Sequence, residues 1–187
     1  MQEMAITSRA PSLFAMKNHS SIYHEGFLYL VGGDKVIYSE KLNLTSEEWE
    51  LFPKLPEEAE NCSLVVSEGK LIAMGGIKEF QFVHFIQMCD LKSFSWTVLN
   101  LALPNVAWLP VCFKAEDKEN TVYFIMMSTL YAFTPNSSMI QSIGKLPKPI
   151  SSLHGPCLFS KGVLFTSSLQ FNHRSYDLRS SGIFRSD

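Results

Sequence analysis

The chain of 187 residues has the length of one domain, and its 46% apolar content is enough for a sizeable core. Its formal net charge of −2 excludes a global positive field that would attract nucleic acid or an anionic membrane. No secretory signal is visible at the start, and the longest unbroken apolar run, residues 122–127, is too short to span a bilayer. We therefore expect a cytoplasmic or nuclear protein with neither nucleic acid nor membrane as a partner.

Two apolar segments, each ending in a pair of glycines, mark the first half of the chain. The glycine pairs are Gly32-Gly33 and Gly75-Gly76, which lie 43 residues apart. A tryptophan follows each pair, Trp49 and Trp96, and a Leu-Pro pair closes each unit at residues 55–56 and 103–104. Self-similarity at this period is typical of repeat proteins, in which each unit buries its apolar face against its neighbours.

The turn that precedes each tryptophan occurs four times without gaps, at residues 43–49, 90–96, 134–140 and 177–183. Its first position is Asn, Asp, Thr or Asp, and such side chains can hydrogen-bond to backbone two residues ahead. The third and fourth copies are weaker, because isoleucine replaces tryptophan and the glycine pair becomes Met126-Met127 and Ser167-Ser168. We predict a lead-in segment at 1–17 and a repeat domain at 18–187, with units at 18–58, 59–104, 105–149 and 150–187.

Each unit is predicted to hold four short strands. In the second unit, apolar segments at 63–66 and 71–74 flank a polar connection that contains Gly69, and His24-Glu25-Gly26 gives the same hairpin signal in the first. The third and fourth strands are predicted at 82–89 and 95–101, and helix should be scarce. Four strands in about 45 residues, with a glycine pair and a tryptophan, indicate an all-β fold built of propeller blades.

These features resemble the kelch repeat, and the residues that carry the resemblance are Gly32, Gly33, Trp49, Gly75, Gly76 and Trp96. The Leu-Pro endings are most similar to the kelch region of BTB-kelch proteins. The resemblance implies a propeller that usually closes with six blades, whereas this chain supplies about four. We therefore expect either part of a longer product, with the BTB region outside this chain, or an unusual small propeller.

No residue pattern predicts catalysis, a cofactor or a metal site. The five histidines are scattered, and the chain has no phosphate-binding loop and no serine-nucleophile motif. His24-Glu25 is interpreted as a solvated turn rather than an acid–base pair. The four cysteines, Cys62, Cys89, Cys112 and Cys157, form no C-x-x-C and are interpreted as reduced core thiols, with a redox sensor as the alternative.

Two aromatic residues in predicted connections are candidates for binding a partner. Phe80 follows the second glycine pair, and Trp108 lies between the second and third units. In a propeller these two kinds of connection emerge on one face, so the rings either anchor a partner or pack inward. The candidate partner-binding residues are Lys78, Glu79, Phe80, Gln81 and Trp108.

Charge is unevenly distributed along the chain. Residues 40–60 hold seven acids against two lysines, and residues 145–187 hold six bases against two acids. We interpret these segments as solvated loops and outer-strand faces, with a charge-patterned docking surface as the alternative.

The leading functional hypothesis follows from the resemblance. BTB-kelch proteins serve as substrate receptors of cullin-type ubiquitin ligases, and the propeller holds the protein substrate. We therefore expect a non-enzymatic protein-binding module that reaches a cullin ligase through a BTB region absent from this chain. The alternatives are a kelch scaffold that binds actin or a related filament, a metal-dependent propeller oxidase or lyase, and a truncated product without function.

Overall fold

A computed structural model describes residues 11–14, 17–34, 38–104, 109–114, 120–137 and 139–146, and the backbone of three further strands at 154–160, 163–172 and 175–185. Within these residues almost all regular structure is antiparallel strand, and the one helical element is the single 3-10 turn Pro135–Ser137. The prediction of an all-β fold is confirmed.

The strands form four main sheets in chain order. The first sheet consists of β1 (Ser20–His24), β2 (Phe27–Val31), β3 (Ser39–Asn43) and β4 (Glu48–Phe52). In the next part of the chain, β5 (Ser63–Ser67) and β6 (Lys70–Met74) precede a separate hairpin of β7 (Ile77–Lys78) and β8 (Gln81–Phe82), and β9 (Phe85–Asp90) and β10 (Ser95–Ala102) complete the second sheet. The third sheet consists of β11 (Val111–Lys114), β12 (Val122–Met126), β13 (Thr129–Thr134) and β14 (Met139–Lys145). The last has three strands in the described residues: β15 (His154–Ser160), β16 (Val163–Asn172) and β17 (Ser175–Arg185).

Each main sheet is an antiparallel meander, and the sheets stand side by side. The first strands of successive sheets contact one another, β1 with β5, β5 with β11 and β11 with β15. The sheets therefore follow each other around a common line, with their last strands outermost, which is the arrangement of propeller blades. The predicted third strand at 82–89 was misplaced: the strand begins at Phe85, because residues 77–82 first fold into the β7–β8 hairpin.

The second sheet is buried on both faces, and β6 shows how. Leu71 and Ala73 pack in a cluster with residues of the first sheet, whereas Ile72 and Met74 pack in a cluster with residues of the third. Side chains of a strand alternate between its two faces, and a neighbouring sheet covers each face of β6, so all four side chains are buried. One unit alone would leave half of this apolar surface in water, so the core exists only between neighbouring sheets.

Both tryptophans are the second residue of an outermost strand, Trp49 in β4 and Trp96 in β10. Trp96 joins the first two sheets. Its indole Nε1 donates to the carbonyl of Pro53 at 2.9 Å, and its ring packs edge-on against the ring of Phe52, with 6.2 Å between the two ring centroids. The leucine of each Leu-Pro pair is buried as well, Leu55 between the first two sheets and Leu103 between the next two.

The glycine pairs stand where the chain passes close to the link that leads into the next sheet. Gly32 has a φ of +72°, and a Cβ at this position would lie 2.3 Å from the carbonyl oxygen of Ala59. In the third sheet the equivalent residue is Met127, with a φ of +57°, so the glycine pair corresponds to residues 127–128 rather than to the predicted Met126-Met127. Met126 remains in β12 because residues 127–128 form a two-residue turn directly into β13.

In each of the first two sheets, a buried polar side chain of the third strand hydrogen-bonds to the backbone of a segment outside the sheet. Gln87 donates from Nε2 to the carbonyl of Glu57 and accepts from the amide of Glu57, both at 2.9 Å. Glu40 lies 47 residues earlier, at the equivalent position of β3, and its Oε2 accepts from the amide of Leu13 at 2.8 Å. Its buried Oε1 has no hydrogen-bond partner among the described residues. The backbone of Leu13 therefore contacts the first sheet in the same way as the backbone of Glu57 contacts the second.

Candidate protein-binding site

The β7–β8 hairpin carries four of the five candidate residues. Lys78 pairs with Gln81, so the turn consists of Glu79 and Phe80 alone. Both turn residues have positive φ, 50° for Glu79 and 64° for Phe80. A two-residue turn with positive φ at both positions matches the right-handed twist of a hairpin. The fifth candidate, Trp108, lies outside the described residues.

The base of this hairpin is tied to the link between the first two sheets. Ile77 and Glu60 exchange both backbone hydrogen bonds, at 2.7 and 2.8 Å. The amide of Val83 donates to the carbonyl of Gly76 at 3.0 Å, and the ammonium of Lys78 lies 3.5 Å from the carboxylate of Glu57. The base of the hairpin is thus held by backbone as well as side-chain contacts.

Phe80 points away from the protein. Its side chain is fully exposed, with a relative exposure of 102%, and Phe82 on the same hairpin is 39% exposed. Of the two interpretations, inward packing of Phe80 is therefore wrong, and its exposure is compatible with the role of a partner-binding anchor. The physical reason is the turn: with only two residues between paired strands, the tip projects beyond any sheet that could bury the ring.

Two other hairpins show how unusual an aromatic residue is in this turn. The β1–β2 turn is Glu25-Gly26 and the β5–β6 turn is Glu68-Gly69, and all four residues have positive φ. Glycine takes that conformation without steric cost, whereas a residue with a side chain loses about 1–2 kcal/mol. Phe80 replaces the glycine of this pattern and makes no buried contact in return, so its presence has no structural explanation.

Carboxylates outnumber lysines around the hairpin. The described residues 53–62 and 76–84 carry Glu57, Glu58, Glu60 and Glu79 against Lys54 and Lys78, a balance of four negative and two positive charges. Glu57 faces Lys78, and Glu60 accepts from the side-chain amide of Asn18 at 3.0 Å. Sequence reasoning did not bring this acidic link together with the hairpin, because the Ile77–Glu60 pairing that joins them carries no side-chain signal.

Comparison with known proteins agrees with this architecture. No family model matches the chain. Kelch-like protein 35 from Mus musculus is 25% identical over 141 residues, which cover 72% of this chain and 24% of that protein. The solved structure of YjhT, a kelch-type propeller, matches with a TM-score of 0.74 at 12% identity, over 84% of this chain and 59% of that one. The chain folds as a β-propeller of kelch-type blades.

The chain spans only part of these proteins, about a quarter of the length of Kelch-like protein 35 and three fifths of that of YjhT. At 12% identity the likeness to YjhT concerns the fold alone. The finer resemblance to BTB-kelch proteins stays a prediction.

The cysteines that the structure describes with their side chains, Cys62, Cys89 and Cys112, lie in or near the core of the propeller. Burial raises the pKa of Cys62 to about 11, and burial together with the neighbouring Asp90 raises the pKa of Cys89 to about 12. Both thiols are therefore protonated at neutral pH and lack the thiolate that reactive cysteines need. Cys112 is half-buried beside the sulfur of Met74 at 3.4 Å, and the side chain of Cys157 lies outside the described residues.

The remaining features predicted from sequence do not assemble into a second site. His24 and Glu25 lie 3.7 Å apart in the exposed β1–β2 turn, where the Glu25 side chain is 83% exposed. Among the residues the structure describes, no three His, Cys, Asp or Glu side chains are grouped as metal ligands. The same residues contain no helix that is long and apolar enough to cross a membrane.

Proposed function

We propose that this kelch propeller is a non-enzymatic protein-binding module and that the β7–β8 hairpin contacts its protein substrate. The observation that carries the proposal is Phe80, a fully exposed aromatic ring at the second position of a left-handed two-residue turn, where the β1–β2 and β5–β6 turns have Gly26 and Gly69. Aromatic side chains dominate the energetics of protein interfaces. A ring that costs folding energy and contributes no packing is best explained by a contact made with another molecule.

The fixed position of the hairpin supports binding. The Ile77–Glu60 backbone pairing and the Val83–Gly76 hydrogen bond hold its base, so the tip loses little freedom when it docks. Pre-organisation of this kind raises affinity, because ordering a loop on binding would otherwise oppose association.

We further propose that the chain is the substrate-recognition part of a cullin-type ubiquitin ligase adaptor. This finer statement rests on the resemblance of residues 20–104 to the kelch region of BTB-kelch proteins and is supported by the similarity to Kelch-like protein 35. In that arrangement the propeller holds the substrate, and a BTB region outside these residues holds the cullin. The two functions are therefore separable by mutation.

Affinity purification of the longest native product from cells tests both statements. The wild-type protein is compared with Phe80→Gly, which removes the ring, and with Ile143→Ala, which truncates a 51% exposed side chain on the outer strand β14. We expect a cullin scaffold with all three proteins and a substrate protein with the wild type and Ile143→Ala only.

The other outcomes each remove one statement. Absence of any cullin from the wild-type sample ends the adaptor role, and co-sedimentation with actin or a related filament would then support the scaffold alternative. A partner that is recovered equally with Phe80→Gly shows that the hairpin is not the binding site.

A further inference from the structure

The chemistry of the β7–β8 hairpin defines the kind of partner that it fits, provided that the hairpin is the binding site proposed above. We propose that the partner is a folded protein domain with an apolar pocket whose rim carries lysine and arginine side chains. The pocket receives the ring of Phe80, and the basic rim faces the carboxylates of the hairpin and of the adjoining link.

The shape of the hairpin indicates that the partner supplies the concave surface. Phe80 stands at the tip of a two-residue turn, and its side chain is fully exposed. The hairpin is therefore a convex feature, and an extended peptide could cover only one side of it. Burying the whole ring requires a pre-formed cavity, which a folded domain supplies. Phe82 at the base of the hairpin, 39% exposed, adds apolar surface at the mouth of that cavity.

The charges next to the ring of Phe80 indicate the charge that the rim of the partner's pocket should carry. Glu79 is the other residue of the turn, and Glu58 is an exposed residue of the link whose neighbours Glu57 and Glu60 contact the hairpin. No ion pair within 4.0 Å involves Glu58 or Glu79 among the described residues. On the adjoining described segments 17–20 and 32–34, Lys17 and Asp34 balance each other. Among the described residues of the hairpin and the link, carboxylates therefore exceed lysines, and a complementary partner is positive.

The same charges argue against two other occupants. An anionic membrane could accept an exposed phenylalanine, but the carboxylates beside Phe80 would be repelled by its surface. A second copy of this chain would bring the same acidic link against itself in a two-fold contact of this face, which like charges oppose.

Selection from a library tests the inference even while the natural partner is unidentified. The probe is a yeast-displayed library of one small folded scaffold that has an apolar surface pocket, with about ten positions randomised in the pocket and around its rim. Clones are selected for binding to the wild-type chain and are then depleted of those that bind Phe80→Gly. The surviving clones are sequenced, and their affinities are measured against Glu58→Lys and Glu48→Lys. These two variants change the charge equally, but Glu48 lies in β4, next to the turn at the opposite end of the first sheet.

We expect surviving clones to combine apolar residues at the centre of the randomised patch with lysine or arginine around it. Phe80→Gly should weaken their binding about 30-fold or more, as for a central aromatic anchor. Glu58→Lys should weaken it about five-fold, and this loss should shrink when NaCl is raised from about 50 to about 500 mM, whereas Glu48→Lys should have no effect.

Two results would overturn the inference, and they are distinguishable. Clones that depend on Phe80 but carry no excess of basic residues, or that bind Glu58→Lys as well as wild type, refute the basic rim and leave the hairpin as a binding site. A selection that yields no Phe80-dependent clone refutes the rim and also contradicts the proposed function.

Discussion

Replacing Phe80 with glycine should separate binding from stability. The wild-type residue has a φ of 64°, a conformation that costs a residue with a side chain about 1–2 kcal/mol. Glycine removes that cost but increases the entropy of the unfolded chain, which costs about 0.5–1 kcal/mol. No burial is lost, because the ring is fully exposed. The free energy of unfolding should therefore rise by about 0.5–1 kcal/mol.

The assay is thermal unfolding followed by circular dichroism, together with urea titration at about 25 °C. For a chain of this length, a gain of about 1 kcal/mol corresponds to a rise in Tm of about 2–4 °C. Phe80→Ala is the matched control, because it removes the ring but keeps a Cβ at the same backbone angle, and its stability should lie below that of Phe80→Gly. A fall in Tm for Phe80→Gly, or equal stability of the two variants, would refute the argument that the turn is strained and the ring unpacked.

Three further predictions concern the packing between sheets. Glu40→Gln should raise the free energy of unfolding by about 1–3 kcal/mol, because it removes a charge from a buried side chain whose Oε1 has no partner among the described residues. Gln87 shows that glutamine fits the equivalent position of the second sheet, and a loss of stability in urea titration would show that the two positions are not equivalent. Trp96→Phe keeps a ring beside Phe52 but removes the hydrogen bond to Pro53, so urea titration should show a free energy of unfolding that is lower by about 1 kcal/mol. Trp96→Ala should lower it further, and equal losses for the two variants would mean that packing of the ring contributes nothing to stability. The raised pKa values of Cys62 and Cys89 mean that unfolded thiols ionise first as pH rises, so their contribution to stability is full below about pH 8.5 and is lost progressively between about pH 9 and 12. Thiol labelling at about pH 8 should accordingly be slow in the native protein and fast in urea, and fast native labelling of either cysteine would contradict their burial.

The architecture could be predicted because its determinants are local and repeated. Gly32 and Gly75 mark positions where a Cβ would meet the link or the next sheet, and Trp49 and Trp96 mark the outermost strands. Glycine at a close approach and tryptophan between sheets are choices that chain geometry restricts strongly, so they remain visible in the sequence. The third sheet carries a weaker signal in the sequence, because Met127 takes the left-handed conformation without being glycine.

The candidate site could be predicted only in part. Phe80 was recognised as an aromatic residue in a connection, but its full exposure depends on a two-residue turn that has no glycine or asparagine to announce it. The pairing of Ile77 with Glu60, which joins the hairpin to the acidic link, is made by backbone groups. Backbone hydrogen bonds place no restriction on residue type, so the sequence contains no sign of this contact.

Photo-crosslinking from position 80 in cells tests the binding role of the hairpin most directly. A benzophenone-bearing phenylalanine analogue is incorporated in place of Phe80, and in a matched sample in place of Ile143 on β14. We predict that illumination joins position 80 to one discrete partner protein and that the same partner is absent from the position 143 sample. Adducts of the same composition from both positions, or none from position 80 while the folded protein is present at normal levels, would contradict the account.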